Sequence, residues 1–160
     1  MSVDLIYIMR RPVPYEVDSA GFFLVASLTD AVRKSPVLIR DRGVLQACKL
    51  ALKVALHRCC YFGIASNRRP LTTGVLALGY CKFYPVSADS IVIGEIVTNA
   101  AHRGQGHATR AIMLAINAML RKGAETFYID TQLHNGPMIR SIHKLGFGPA
   151  VSGSASGSGS

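Results

Sequence analysis

The chain has 160 residues, of which 49% are hydrophobic and 17% are charged, and its 18 Lys and Arg against 9 Asp and Glu give a net charge of +9. This composition excludes a largely disordered chain, and no apolar run reaches the roughly 18 residues of a membrane-spanning helix. The positive charge favours acidic or polyanionic partners over cationic ones. We expect one domain over residues 1–150, located in the cytoplasm because the N-terminus lacks a signal-peptide pattern.

The C-terminal tail and the cysteines are interpreted from composition and spacing. Residues 151–160 are mostly Gly and Ser and are predicted to form a flexible tail that resembles an artificial linker. The chain has four cysteines, which form no Cys-X-X-Cys pair: Cys48, Cys59, Cys60 and Cys81. They are predicted to be buried, reduced thiols, with a metal site that includes His57 as the weaker alternative.

The N-terminal third is predicted to contain one strand followed by two helices. Residues 5–10 alternate loosely and stop before Pro12, which predicts the strand. Apolar residues at helical spacing predict a first helix over residues 17–32, which Ser35 and Pro36 end. A second helix is predicted over residues 44–57. The residues predicted to face inward in this second helix are Val44, Ala47, Cys48, Ala51, Leu52 and Ala55.

A hairpin and a further strand follow. Two apolar runs, residues 60–66 and 73–84, flank the turn sequence of residues 67–70 and predict an antiparallel hairpin. Residues 90–98 are rich in Ile and Val and predict the strand that leads into the centre of the chain.

The central stretch predicts a strand, a glycine turn, a helix and a second strand. Seven residues between 105 and 123 form one apolar helical stripe: Ala108, Ala111, Ile112, Ala115, Ile116, Met119 and Leu120. Gly104 and Gly106 precede this helix, where they allow a ligand to approach the free amides and partial positive charge of the helix N-terminus. Residues 126–131 then predict a strand, so the unit is βαβ with an anion site at its turn.

One further helix is predicted near the C-terminus. Asn135 is placed to cap it, and Pro137 follows at a position where the missing N–H costs nothing. Its buried stripe is predicted to be Met138, Ile142 and Leu145, and Gly146 ends it.

The glycine spacing is neither that of a dinucleotide fold nor that of a P-loop. Residues 103–108, RGQGHA, instead resemble the acyl-CoA signature Arg/Gln-X-X-Gly-X-Gly/Ala of the GNAT N-acetyltransferases. Asn135, followed by Gly146 and Phe147 at the end of a helix, resembles the second motif of that family. The two motifs occur in the family's order and cover about residues 91–147.

This resemblance implies the fold and the acyl donor. The expected fold is a GNAT-type α/β domain, with a mixed, mostly antiparallel sheet, a central parallel βαβ unit and helices on both faces. Family members usually continue with two more strands, so the sheet is expected to lack its C-terminal edge partner. The donor is acetyl-CoA, and no metal is expected. The residues implied in binding it are Val97, Thr98, Arg103, Gly104, Gln105, Gly106, His107, Ala108, Thr109 and Asn135.

The resemblance also identifies catalytic candidates. Glu95 is the only carboxylate of its strand and is a candidate general base, with a surface ion pair as the alternative. Many family members place a proton-donating tyrosine where this chain has Ile142, so the neighbouring His143 is a substitute candidate. His102, His107 and His134 have no metal-ligand spacing and are left as solvent-facing or ligand-facing side chains.

The sequence predicts an N-acetyltransferase but leaves its acceptor open. Polar and mostly basic residues at the second helix and the hairpin tip form either a solvated surface or a wall beside the acceptor groove: Arg42, Gln46, Lys49, Lys53, His57, Arg68 and Arg69. The acceptor is a small-molecule, peptide or RNA amine. One alternative is an enzyme that modifies nucleic acid or aminoacyl-tRNA, and another is a non-catalytic acyl-CoA-binding regulatory module. A homodimer is a further expectation.

Overall fold

The computed structural model describes residues 3–152 and places them in one seven-stranded sheet with helices on both faces. The strands are β1 (Leu5–Arg10), β2 (Phe22–Val25), β3 (Cys59–Ser66), β4 (Arg69–Leu78), β5 (Ile91–Thr98), β6 (Thr126–Thr131) and β7 (Val151–Ser152). The helices are α1 (Leu28–Arg33), α2 (Ser35–Arg42), α3 (Val44–Ala55), α4 (His107–Arg121) and α5 (Gly136–Leu145), with a short 3-10 turn at Ala100–His102. None of the helices within residues 3–152 is long and apolar enough to cross a bilayer.

The strands lie side by side in the order β2-β3-β4-β5-β6-β1-β7, and the centre is the predicted β5–α4–β6 unit. β5 and β6 are parallel, whereas the other neighbouring pairs of the described sheet are antiparallel. A parallel pair needs a crossover connection, which α4 supplies. The predicted apolar stripe of α4 is buried at its core positions: Ala111, Ile112, Ala115, Ile116 and Met119. The predicted fold class is confirmed.

Two apolar cores cover the two faces of the sheet. On one face, α4 and α5 pack over a core that includes Phe62, Ile93 and Phe127. On the other face, α1, α2 and α3 cover a smaller core that includes Val25 and Tyr61. This smaller core contains no residue of β5 or β6, so the sheet face under those two strands is left open on the side of α3.

The helix predicted over residues 17–32 is wrong over most of its length. Phe22–Val25 forms β2, which pairs with β3, and only Leu28–Arg33 is helical, with Ser27 as its N-cap. The four residues FFLV are apolar at both strand and helix spacing, so the partner strand decides their conformation. Ser35 and Pro36 begin α2 rather than ending a helix, because proline is tolerated in the first turn.

The bounds of α3 agree with the predicted helix, but its inward face is different. The buried residues are Ala47, Leu50 and Val54, whereas Val44 and Leu52, predicted to face inward, are 64% and 62% exposed. The helix is thus rotated relative to the prediction, and of the predicted inward residues only Ala47 is buried. The cysteine prediction holds for the buried Cys59 and Cys60 and fails for Cys48, which is exposed; all four thiols are free.

The predicted hairpin is β3 and β4, with a tighter turn and a shorter second strand. Asn67 and Arg68 both have positive φ, as a two-residue type I′ turn requires. β4 ends at Leu78, six residues before the predicted end. Gly79 turns the chain away at φ +66°, where a Cβ would lie 2.3 Å from the backbone oxygen of Ala88. Residues 79–90 therefore form a connection and not a strand.

β6 is not at an edge of the sheet, because the N-terminal strand β1 pairs with it. This pairing is antiparallel over six residue pairs, from Leu5 with Thr131 to Arg10 with Thr126. Val151 and Ser152, predicted to belong to the tail, form β7 and pair with β1. The rest of the predicted tail, residues 153–160, lies outside the described residues.

Two hydrogen bonds made by a buried side chain of α4 hold the connection between β1 and β2 in place. The Asn117 side chain is 8% exposed. Its Oδ1 accepts a hydrogen bond from the backbone N–H of Tyr15, and its Nδ2 donates to the Tyr15 carbonyl, both at 2.8 Å. The Tyr15 hydroxyl in turn donates to the backbone oxygen of Leu145 in α5. One buried amide thus satisfies both backbone groups of a segment that has no regular structure.

We predict that Asn117→Ala lowers the free energy of unfolding by about 2–4 kcal/mol, because it leaves two partly buried backbone groups without their hydrogen-bond partners. Urea unfolding followed by circular dichroism measures this. Lys122→Ala, an exposed change at the end of the same helix, is the control and should cost less than about 0.5 kcal/mol. A loss below about 1 kcal/mol in Asn117→Ala would show that water replaces the amide.

Candidate active site

The site begins where the parallel pairing of β5 and β6 stops. The two strands pair only from Ile91 with Phe127 to Ile93 with Ile129, although β5 continues to Thr98. Beyond Ile93 the backbone of β5 has no partner strand on this side within the described residues. The separation opens the sheet into a groove of about 1140 Å³.

The groove has a strand floor and two different walls. Strands β4, β5 and β6 supply the floor, with Val75 and Val92 among the floor residues. One wall is the polar side of α3. The opposite wall is residues 80–83 of the β4–β5 connection, where Tyr80 and Phe83 are 64% and 42% exposed.

A β-bulge places Glu95 at the groove. Gly74 of β4 lies opposite two residues of β5, Glu95 and Ile96, because the register shifts between Thr73 and Val75. Glu95 has φ +52°, a left-handed conformation that costs a non-glycine residue about 1 kcal/mol or more. A Cβ on Gly74 would lie 2.6 Å from the ring of the fully buried Phe62, which has no room to shift, so the facing position requires glycine. Bulges of this kind redirect side chains next to active sites.

Arg42 holds the Glu95 carboxylate. Its Nη1 lies 2.9 Å from Glu95 Oε2, and its guanidinium lies 5.5 Å from the centre of the Tyr61 ring. Its Nε lies 3.4 Å from Asp41 Oδ2, which makes an ion pair but no hydrogen bond. Asp41 is itself fixed, because it accepts hydrogen bonds from the hydroxyls of Tyr61 at 2.7 Å and of Thr73 at 3.2 Å. The sequence predicted Arg42 only as part of a basic surface and did not predict its contact with Glu95.

A second carboxylate, Asp130, lines the groove and was missed in the sequence. It lies on β6 just past the last residue paired with β5, and Tyr84 donates its hydroxyl hydrogen to Asp130 Oδ2 at 2.7 Å. Burial raises the pKa of Asp130, and the hydrogen bond from Tyr84 opposes part of that rise. The contact joins residues 46 positions apart, and because residues 73–84 had been assigned to one strand, no sequence signal indicated it.

The glycine turn lies at the end of β5 and opens into solvent. Gly104 and Gly106 have φ +75° and +79°, and a Cβ on either would meet nothing within 4 Å. The backbone N–H groups of residues 103–109 have no hydrogen-bond acceptor in the described part of the chain. Gly106 is the N-cap of α4 and offers no side-chain acceptor. Free amides, a helix N-terminus and open space fit the pyrophosphate of a CoA-type ligand.

The side chains around this turn make few bonds of their own. Arg103 is exposed and donates from Nε to the Thr98 carbonyl at 3.3 Å. Gln105 Oε1 and His107 Nε2 are 3.2 Å apart. Partial burial lowers the pKa of His107, and the nearby Arg110 lowers it further. A neutral imidazole at the helix N-terminus is therefore favoured at neutral pH.

The remaining predicted residues lie in three different places. Val97 is 56% exposed at the free end of β5, and Thr98 bonds to Thr72 at 3.0 Å. Asn135 caps α5, as predicted, by accepting a hydrogen bond from the Met138 N–H, and it also lines the groove. Ala108 and Thr109 lie in the first turn of α4.

His143 lies away from the groove. It is exposed on α5, and its ring stands edge-on to the ring of Tyr7 at 6.1 Å, on the sheet face covered by α4. The adjacent Ile142 is fully buried in that core. His143 as a proton donor stays a prediction. Among the described residues, no three His, Cys, Asp or Glu side chains are grouped as metal ligands would be.

The basic residues predicted to share one surface are separated. Arg42, Lys49 and Lys53 line the groove, together with Gln46 and His57. The hairpin tip, with Arg68 and Arg69, does not line it. The basic wall is therefore narrower than the sequence indicated and is formed mainly by α3.

Comparisons with known proteins give the family. The sequence profile described as the Acetyltransferase (GNAT) family matches residues 35–147, well over half of the chain. A comparison with curated proteins gave no match. The matched residues include the bulge, the glycine turn and α5.

Solved structures give the same fold. A GNAT-family protein from Novosphingobium aromaticivorans superposes with a TM-score of 0.58 at 18% identity, over 93% of this chain and 61% of that one. The aminoglycoside N-acetyltransferase AAC(6')-Iy, in complex with a CoA bisubstrate analogue, has a TM-score of 0.61 at 12% identity, over 81% and 92%. The ribosomal-protein-S5-alanine acetyltransferase of Vibrio fischeri has 0.57 at 14%, over 84% and 82%. At these identities the likeness concerns the fold.

We predict that Asp130→Asn stabilises the protein at pH 7 and that the gain disappears below about pH 4. The pKa of Asp130 is raised on folding, so its stabilising contribution is fully present below the unfolded pKa of about 3.9 and is lost as the pH rises through the folded value. Asn is neutral throughout and keeps an acceptor for Tyr84. Urea midpoints at both pH values measure this.

The control for this prediction is Asp89→Asn, an exposed change in the same β4–β5 connection, which removes the same charge outside the groove and should change the stability at pH 7 by less than about 0.5 kcal/mol. An Asp130→Asn variant that is less stable than the wild type at pH 7 would contradict the assigned burial penalty.

Proposed function

Because the chain belongs to the GNAT acetyltransferase family, we propose that it transfers the acetyl group of acetyl-CoA directly to an amine acceptor in a ternary complex. The observation that carries this proposal is the set of unbonded amides at residues 103–109, which lie at the end of the strand whose free edge opens the groove. The pyrophosphate would bind at these amides, and the thioester would reach the groove along β5. The chain spans 61% of the length of the Novosphingobium protein.

The reaction needs an uncharged amine, stabilisation of the developing oxyanion and a tolerable leaving group. The amine nitrogen forms a bond to the acetyl carbon, and collapse of the tetrahedral adduct breaks the C–S bond and releases the CoA thiolate. Backbone N–H groups on the free edge of β5, near Val97 and Thr98, would hold the oxyanion. A thiol pKa near 8.5 makes the thiolate an acceptable leaving group without a dedicated acid.

We assign the proton acceptor to Glu95. The bulge aims its side chain at the groove, and its side chain is 64% exposed, so an amine or a bridging water can reach the carboxylate. The ion pair with Arg42 fixes its position beside the groove. Asp130 lies on the neighbouring strand β6 and is the second candidate for the proton acceptor.

The acceptor is open to two further interpretations. The AAC(6')-Iy structure contains an acetylneamine analogue, and the Vibrio protein is named for ribosomal protein S5, so relatives of this fold use chemically different acceptors. The basic side chains of α3 favour an anionic acceptor, which includes RNA and aminoacyl-tRNA. The fully buried Ile142, where many family members place a tyrosine, favours the non-catalytic acyl-CoA-binding module.

We predict that Gly106→Val abolishes the thermal stabilisation that CoA gives to the wild-type protein, because the side chain fills the open space before the free amides. Differential scanning fluorimetry with and without CoA measures this. The matched control is Gly123→Val, which carries a similar left-handed strain at the other end of α4, at φ +92° and without neighbours within 4 Å. If CoA stabilises Gly106→Val as much as the wild type, the acetyl-CoA site is not at the glycine turn.

We predict that the protein releases free CoA thiol from acetyl-CoA in the presence of an acceptor amine, and that Glu95→Gln lowers kcat about 10²-fold or more while leaving CoA affinity unchanged. Thiol release between about pH 7 and 9 measures this. The side-chain amide of the variant cannot accept the proton, so raising the pH should recover part of the rate as more amine is deprotonated. CoA binding without turnover on any amine would support the regulatory module instead, and full activity of Glu95→Gln would transfer the role to Asp130.

A further inference from the structure

Helix α3 presents its cations to the groove and its leucines to solvent. Gln46, Lys49, Lys53 and His57 follow one another at helical spacing and line the groove. On the side away from it, Leu45, Leu52 and Leu56 are 68%, 62% and 55% exposed. Lys49 and Lys53 are themselves exposed, so the groove is lined by solvent-accessible cations. The positive charge of this helix therefore faces the groove, and the other exposed face of the helix is apolar.

These cations have no carboxylate to neutralise them. α3 contains no acidic residue at all, so Lys49 and Lys53 form a like-charge pair at i, i+4 that destabilises the helix slightly. Arg58, just past the helix, and Lys82, on the opposite wall, bring two more cations to the groove. Within residues 3–152 none of these four side chains forms an ion pair.

The carboxylates that line the groove are already occupied. Glu95 pairs with Arg42, and Asp130 receives the Tyr84 hydroxyl. They are the only two acidic residues among the described residues that line the groove. A ligand in the groove therefore meets uncompensated positive charge on two walls.

This charge is not placed to bind the donor. The glycine turn and the first turn of α4, residues 99–109, contribute nothing to the lining of the groove. α4 packs on the sheet face opposite to that of α3. The glycine turn leads into a helix on the sheet face opposite to the cations of α3, so we assign these cations to the acceptor.

We propose that the acceptor is a small amine that also carries a carboxylate or phosphate, which Lys49, Lys53, Arg58 and Lys82 hold while its amine reaches the thioester. This assignment rests on the proposed acetyl transfer and names the acceptor class. The basic hairpin tip does not line the groove, so the charge does not continue along a surface as a polymer would need, and the cations that do line it fit a compact molecule better. Polycationic amines are repelled.

The test compares four small acceptors at fixed ionic strength: ethanolamine, O-phosphoethanolamine, β-alanine and spermidine. We expect kcat/KM to be about tenfold or more higher for the two anionic amines than for ethanolamine, mainly through KM, and lowest for spermidine. In Lys49→Glu/Lys53→Glu the advantage of the anionic amines should disappear, whereas Lys49→Arg/Lys53→Arg should keep it. Stabilisation by CoA should be the same in all variants.

The matched control is Arg121→Glu/Lys122→Glu, which makes the same change in net charge at exposed positions at the far end of α4. It should leave the preference for anionic amines intact. If both charge-reversed variants lose the preference for anionic amines equally, that preference arises from the net charge of the whole protein, and the proposed site is overturned. Preference for spermidine or ethanolamine in the wild type would overturn it as well.

A binding measurement distinguishes failure of the proposed anion site from failure of acetyl transfer itself. If no amine is acetylated, the anion site can still be detected by thermal unfolding. The protein should be stabilised more by inorganic phosphate than by chloride at the same ionic strength. Its loss in Lys49→Glu/Lys53→Glu but not in the Arg121 and Lys122 variant supports the site without the activity. No phosphate effect, together with RNA oligonucleotide binding that weakens steeply with salt, assigns the cations to nucleic acid and overturns the small acceptor.

Discussion

The short parallel pairing between β5 and β6 is the constraint on which the site depends. Three residue pairs hold the strands together at one end, and beyond Ile93 they separate. Because backbone groups that leave a sheet must find other partners, the free edge of β5 is costly unless water or a ligand pairs with it. The glycine turn follows this strand after the short 3-10 turn at Ala100–His102, so the free strand edge and the unpaired amides of residues 103–109 lie close together in the described part of the chain.

Charge near this opening is organised in a chain of contacts that keeps Glu95 in position. Asp41 is fixed by Tyr61 and Thr73, Arg42 lies beside Asp41, and Arg42 binds Glu95. The strain of the left-handed Glu95 is thereby balanced by contacts that begin in α2, a helix that packs on the smaller core. An exposed carboxylate and a fixed position are both needed in a group that takes a proton from a bound amine.

Helix α3 shows how one element serves two purposes. Ala47, Leu50 and Val54 anchor it in the smaller core, and the adjacent face brings Lys49 and Lys53 to the groove. The third face exposes leucines to solvent, so hydrophobic spacing alone could not identify which of two apolar faces is buried. The same rotation that overturned the predicted inward residues is what directs the lysines toward the groove.

The sequence by itself determined the central βαβ unit, the glycine turn, the cap at Asn135 and the first strand, because each depends on residues close together in the chain: helical periodicity, turn glycines and capping side chains. It did not determine that Phe22–Val25 is a strand or that β1 fills the edge of β6, since both depend on distant partner strands. Nor could it place Asp130 beside Tyr84. Only the tertiary structure decides which side chains meet across a groove, because that depends on how the elements pack and not on their spacing.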